Sequence, residues 1–396
     1  LCIAKFSQIK NNYISTSAGG FFMPSGAGRE VLLRINLIGK FTKIIKKEIM
    51  NKEIIKQKIQ QKEQGLNGTT KLVTPIDGVP ANQQANWMID LLSQVYSQHG
   101  IAKNPSAVVE SIASGQCRCW FVLEEGKPVA MAALIKQADG SVEIGRAVAL
   151  NPGLGLGSIA IMRACIDHMD ENSNPIVAEV RVADNFAGAP SGMATQNISF
   201  NQIGLTPHAL APMFSHGEPV RQEMFALASS QPKQITEQAF FPDNKSAKKI
   251  IRPALVLSNN LFDNQIKAKS ENKQGLNNEG FELVQTEPFA LAVPEIKGSS
   301  LEKVTTEGLE KSRFILLPIE MTSDNAGLIL KCLSDNWLPC GVDRNPGPTG
   351  HPVLLLGRLR SQVLLAPTRF LDGAFSKPTH QALREIDRSF RKKGRK

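Results

Sequence analysis

The stretch AVALNPGLGLGSIAIMRACIDHM, Ala147–Met169, joins an apolar run to a helix through glycines at alternate positions, 153, 155 and 157. Glycine removes side chains from a loop whose N–H groups must converge on one spot, and a following helix adds the positive end of its dipole. Taken alone, the stretch reads either as a cradle for a pyrophosphate or as a flexible strand-to-helix turn. It is not a Walker loop, because no Gly-Lys-Ser/Thr follows. Nor is it the dinucleotide fingerprint, because the glycines are spaced two apart throughout.

The text on either side narrows the choice. KLVTPI (71–76) reads as a strand, residues 83–100 as a helix with Trp87, Leu91, Leu92 and Val95 largely on one face, and 105–114 as a second, shorter helix. Residues 119–150 hold three apolar stretches separated by the turn signals EEGK and ADGS, so two successive hairpins are expected. The glycine segment leads into helix 158–169, and NPIVAEVRVADN (174–185) is another strand. A doubly wound nucleotide-binding sheet would alternate strand and helix from the start, whereas here a meander precedes the glycine-loop helix.

With that order, residues 69–228 resemble the GNAT superfamily of acyl-coenzyme A-dependent N-acyltransferases. GRAVAL (145–150) corresponds to the end of the family's fourth strand, GLGLGS (153–158) to its pyrophosphate loop, VAEVRV (177–182) to its fifth strand and SFNQIGL (199–205) to a helix end. The resemblance implies an α+β fold, a mixed and mainly antiparallel sheet with flanking helices, followed by a smaller α/β block. It implies acetyl-CoA, or another acyl-CoA, as co-substrate, an amine of unknown identity as acceptor, direct attack, and no metal. The N–H groups of Gly153, Leu154, Gly155, Leu156, Gly157 and Ser158 would receive the pyrophosphate. Val148 and Leu150 would offer backbone hydrogen bonds to the pantetheine arm. Two positions depart from the family pattern: Pro152 stands where a Gln or Arg is usual, and Phe200 stands where a Tyr often protonates the leaving thiolate.

Glu143, on the fourth strand, is the candidate catalytic base, against the alternative of an exposed strand residue. Asn185 is either a coenzyme ligand or a turn residue after its strand. His168, between Asp167 and Asp170, reads as a surface residue, and His208 and His216 flank a loop near the expected substrate entrance.

A second ordered block runs from 280 to 372, with strands in FELVQTEPFALAV and RFILLPIEM, a helix in NAGLILKCLSDNW and a final strand pair in HPVLLLGRLRSQVLLA. Asp324-Asn325 before its helix matches Asp184-Asn185 in the first block, so 281–370 is expected to be a degenerate repeat of the GNAT-like C-terminal half. Residues 229–279 read as a Lys/Asn-rich linker with one apolar strand inside it.

The net charge of +10 is concentrated at the ends, where residues 1–64 carry +8 and 384–396 carry +5. These read as a poorly ordered basic extension (1–64) and a basic tail (373–396). Nucleic acid or an acidic partner is the alternative ligand of a non-catalytic GNAT-fold protein. Residues 1–49 read as an extension upstream of a conventional start at Met50. Six cysteines in 396 residues are no disulfide framework, and the single residue between Cys117 and Cys119 is too few for a zinc knuckle. No apolar run reaches the roughly 18 residues of a membrane span, so a cytoplasmic protein without membrane partner is expected.

Overall fold

The computed structural model describes residues 53–64, 68–95, 105–137, 140–151, 154–171, 174–184, 192–216, 221–230, 239–242, 244–258, 266–269, 280–285, 289–295, 298–343 and 350–394. Gly153, Asn185, residues 1–49 and the His216 side chain lie outside the described residues.

The meander forms as the turn signals require. Strands β1 (Thr70–Val73), β2 (Cys117–Glu124), β3 (Lys127–Lys136) and β4 (Val142–Ala149) pair antiparallel in sequence order. Helix α1 (53–64) precedes them, and α2 (Ala81–Val95) and α3 (Pro105–Ala113) stand between β1 and β2. Helix α4 (Leu156–Glu171) then carries the chain to β5 (Ile176–Arg181), which lies parallel to β4. A short helical segment α5 (Met193–Gln196, continued as a π-helical turn at Asn197–Gln202) leads to β6 (Thr206–His216) and β7 (Arg221–Ser229).

The second block repeats this order. Strands β10 (Gly280–Gln285) and β11 (Ala290–Glu295), helix α7 (Leu301–Lys311), strand β12 (Phe314–Glu320), helix α8 (Ala326–Ser334), and strands β13 (Leu338–Asp343) and β14 (Val353–Leu359) follow β3, β4, α4, β5, α5, β6 and β7 one for one. Between the blocks come β8 (Ala239–Pro242), α6 (Lys245–Ser258) and β9 (Ile266–Lys269), with β8 and β9 a separate parallel pair. The twelve remaining strands form one sheet in the order β1-β2-β3-β4-β5-β7-β6-β13-β14-β12-β11-β10. Each half places its parallel pair, β4/β5 or β11/β12, in the same position, and the halves meet edge to edge through β6 and β13. This is a repeat with pseudo-two-fold topology, more complete than the half-domain expected from sequence.

The repeat also corrects the linear domain plan. The two blocks share a sheet, and residues after β14 return to the first half: Arg369 N donates to Val182 O at 2.9 Å, and Asp184 N to Pro367 O at 2.7 Å. Residues 373–396 are no loose tail, because 377–394 form helix α9 (Lys377–Gly394), whose Leu383 and Phe390 are fully buried. Residues 53–64 of the supposed basic extension form α1 with Ile55 and Ile59 buried in the first half's core. Within the supposed linker, RPALVLS is helical in α6, whose Ala247, Ile251, Ala254 and Leu257 are buried at helical spacing. Among the described residues no helix is long and apolar enough to cross a membrane.

Candidate functional site

Strands β4 and β5 pair only at Val142↔Ile176 and Glu143↔Val177 and then part, opening a wedge in the sheet. One cause lies in β4. Between the pairs Ala133↔Gly145 and Met131↔Val148, three steps on β4 oppose two on β3, and Arg146 takes a positive φ of 52°. Such a bulge bends its strand and re-aims the side chains beyond it. The wedge is closed at its narrow end and opens toward the loop that starts α4.

That loop is built for close approach. Gly155 has φ +71°, a left-handed conformation that glycine adopts without strain. A Cβ on Gly157 would sit a tight 3.2 Å from Ala149 Cβ, so the missing side chain eases the close approach of α4 to β4. Ser158 Oγ donates to Gly155 O at 2.7 Å and tightens the turn. Helix α4 is fastened to the meander by Trp120, whose Nε1 donates to Asp167 Oδ2 at 2.7 Å.

A meander, a wedge between parallel strands, a glycine loop on the intervening helix, and β5-β7-β6 beyond it now stand together. This is the arrangement that the resemblance to the GNAT superfamily implies. No family model matches the sequence, and no curated protein matches it. Solved structures similar to residues of this chain include a protein of Desulfovibrio desulfuricans assigned to the GNAT family of acetyltransferases, at 12% identity over 41% of this chain and 98% of that one, TM-score 0.31. An N-acetyltransferase of Staphylococcus aureus matches at 11% identity over 40% and 96%, TM-score 0.31. An acetyltransferase of Salmonella typhimurium that modifies the N-terminal serine of ribosomal protein L7/L12 matches at 10% identity over 42% and 97%, TM-score 0.30. Each likeness spans nearly the whole of the other protein and about two fifths of this one.

Within the first half, the sequence candidates separate. Leu154 and Gly155 form the turn before α4, and Leu156 to Ser158, read from sequence as part of the loop, are the helix's first turn; Leu154 N donates to Asn151 O at 3.2 Å and Ser158 N to Gly155 O at 3.1 Å. Leu150 does not face the wedge with its amide: Leu150 N donates to Val129 O at 2.9 Å. Antiparallel alternation turns Val148 toward β3 as well, so the backbone groups aimed at the wedge are those of Ala147 and Ala149. Phe200 is buried and packs edge-on against Phe375, ring centroids 4.7 Å apart, so an apolar cluster occupies the expected tyrosine position.

Glu143 is no exposed strand residue. It is 8% exposed, and Gln137 Nε2 donates to its Oε2 at 2.9 Å. His168 is buried rather than superficial, its ring nitrogen Nε2 lying 3.1 Å from Asn174 O. Burial pushes its pKa down. The five described cysteines are buried free thiols.

Two residues escaped the sequence. Lys62, near the end of α1, donates from Nζ to Ser158 Oγ at 2.8 Å, and its Nζ stands 3.4 Å from where a Cβ on Gly155 would be. Helix α1 runs antiparallel to α4, with Lys56 3.5 Å from Asp170 at one end and Glu63 3.8 Å from Arg163 toward the other. It therefore brings a cation to the glycine loop from outside the usual elements. Glu179, on β5, lies two residues past the last β4 pair and on the same face as Glu143. Its Oε1 is buried without a hydrogen-bond partner, and burial together with the Glu143 charge pushes its pKa up to about 8.

Among the described residues, the second half starts its corresponding helix differently. Ser299 is tied into a bridge with Phe281, Ser300 Oγ caps α7 by accepting from Lys303 N at 3.3 Å, and Glu302 occupies the first turn. The helix start there is self-satisfied and carries an anion of its own.

Proposed function

We propose that the protein is an N-acyltransferase that moves an acetyl or other acyl group from coenzyme A to an amine by direct attack. One observation carries this reading: the wedge between β4 and β5 opens onto a tight turn at the start of α4 whose Gly155 and Gly157 carry no side chain, with the Lys62 ammonium against it.

The residues fit an acyl-coenzyme A. A pyrophosphate needs converging N–H donors and positive charge, which the amides of Gly155, Leu156 and Gly157, the helix dipole and Lys62 together offer, while Leu154 N and Ser158 N are donated within the turn to Asn151 O and Gly155 O. Lys62 compensates for Pro152, whose ring offers no polar group. The pantetheine arm needs an open strand edge, which Ala147 and Ala149 provide. When bound, the coenzyme supplies an activated thioester, and the chain's own task is to hold it beside a deprotonated amine.

The test is binding. At a hundred times its dissociation constant, acetyl-CoA should stabilise the fold by about 2.7 kcal/mol, seen as a rise in melting temperature. Gly155→Glu places a carboxylate at the pyrophosphate loop and should abolish the rise; no rise with the natural sequence overturns the reading. An amine library screened by thiol release then identifies the acceptor.

The second reading, a GNAT-fold protein that binds nucleic acid, has its own observation. On α9, Arg384, Arg388 and Lys392 form an exposed basic row at four-residue spacing. Retention on a short RNA or DNA duplex that weakens steeply with salt would support it.

A further inference from the structure

Glu179 Oε1 is buried without a hydrogen-bond partner, and burying a carboxyl oxygen without a partner is costly. Its place in the repeat indicates why it is kept. The parallel ladder of the first half, Val142↔Ile176 and Glu143↔Val177, corresponds to Ala290↔Ile315 and Leu291↔Leu316 in the second. At the same ladder positions the second half therefore has Leu291 in place of Glu143 and Pro318 in place of Glu179, both buried. Two carboxyls face the wedge only in the half that also has the glycine loop. Where the fold is served by apolar residues in one copy, two acids in the other point to a ligand.

We propose that Glu179 is the base that takes the proton from an acceptor ammonium in the wedge, with Glu143 as its held neighbour. The inference rests on the acyl-transfer reading, and it narrows the acceptor to an amine basic enough to arrive protonated. Glu143 is engaged at Oε2 by Gln137 and stands at the closed end of the wedge, opposite Val177. Glu179 stands farther along, with Oε1 unengaged. The other groups around it do not replace it: Leu227 of β7, directly across, is apolar, and Arg181 of its own strand is paired with Glu223 of β7. Arg146 of β4, beyond the bulge, turns toward Met88 Sδ of α2 at 3.0 Å.

The step balances without further reagents. The ammonium gives one proton to the Glu179 carboxylate, and the freed nitrogen lone pair forms the N–C bond to the thioester carbonyl. The C–S bond breaks, the coenzyme leaves as thiolate, and it takes up the second proton that the nitrogen sheds. Glu179 then returns its proton to solvent. The burial that raises the affinity of Glu179 for protons makes it a competent base near neutral pH.

The experiment uses the full chain labelled with carbon-13 at the glutamate carboxyls, titrated over roughly pH 4 to 10 with and without acetyl-CoA. The expected result is one carboxyl that titrates in the neutral to alkaline range, vanishes in Glu179→Gln, titrates at lower pH in Glu143→Gln, and shifts when acetyl-CoA is added. Thiol release with methylamine as acceptor should fall at least tenfold in Glu179→Gln. A Glu179 signal that titrates as an ordinary carboxyl, or one indifferent to acetyl-CoA while the coenzyme still raises the melting temperature, overturns the proposal. If methylamine is not turned over, the titration decides alone. Failure of acetyl-CoA to raise the melting temperature at all defeats the acyl-transfer reading instead, which keeps the two failures apart.

Discussion

Lys62 and Ser158, 96 residues apart in sequence, meet at 2.8 Å on the rim of the glycine loop. The contact makes α1 part of the first half and places a cation beside the first turn of α4, where the phosphates of the proposed coenzyme would need one. Replacing Lys62 by Ala should weaken acetyl-CoA binding about 3- to 10-fold, the scale of one partly exposed charge-assisted contact, while Lys62→Arg keeps most of it. Calorimetric titration at low and high salt checks this, because the loss should shrink as salt rises. Equal affinity at low salt would remove Lys62 from the site.

The anchoring of α1 is a separate matter and rests on Ile55, which is 1% exposed. Ile55→Ala should cost about 2–4 kcal/mol in urea unfolding, the usual scale for truncating a buried aliphatic side chain. Because α1 carries Lys62, the same variant should also lose affinity for acetyl-CoA.

Stability should depend on pH through Glu179. Its folded-state pKa, about 8, lies above the ordinary value of 4.5, so the native state binds the proton more tightly than the unfolded chain. The contribution is then most favourable below about pH 4.5 and declines as pH rises to about 8, by at most about 1.4 kcal/mol per unit. Glu179→Gln should remove this slope and be more stable than the natural sequence at pH 8. Parallel denaturation series for the two proteins decide it.

The junction of the halves offers a packing test. Gly341 lies across from Ala209, and a Cβ there would stand 2.1 Å from His208 O. Gly341→Val must push β13 from β6 and should cost about 3 kcal/mol or more. The residual structure measured by hydrogen exchange should loosen at β6 and β13 before the β2-β3-β4 meander.

Much of the first half was legible because its signals are local: turn residues between apolar stretches, and glycines ahead of a helix. What escaped depended on distant partners. The interruption of the apolar strand IVAEVR by Glu179 was visible, but its meaning needed Glu143 beside it across the wedge. The orientation of Leu150 depended on ladder phase, which a one-residue bulge at Arg146 sets. Helix α9 was read as a tail because charge dominates its composition, although Ala382, Leu383, Ile386 and Phe390 already mark one apolar face. In α6, Pro253 and the run ALVL suggested a strand, whereas the spacing of Ala247, Ile251 and Ala254 is helical. Strand β13 and helix α7 were missed altogether, the first hidden between Pro339 and Gly341, the second by a sequence as polar as LEKVTTEGLEK.

The single antiparallel pairing of β6 with β13 also determines how the molecule ends. An isolated half would expose β6 or β13 as an unpaired edge, open to pairing with any other chain. Joined in one polypeptide, the halves cover each other's open edges, and only β1 and β10 remain at the sheet's margins. The second half thus serves as a permanent guard for the open edge of the first.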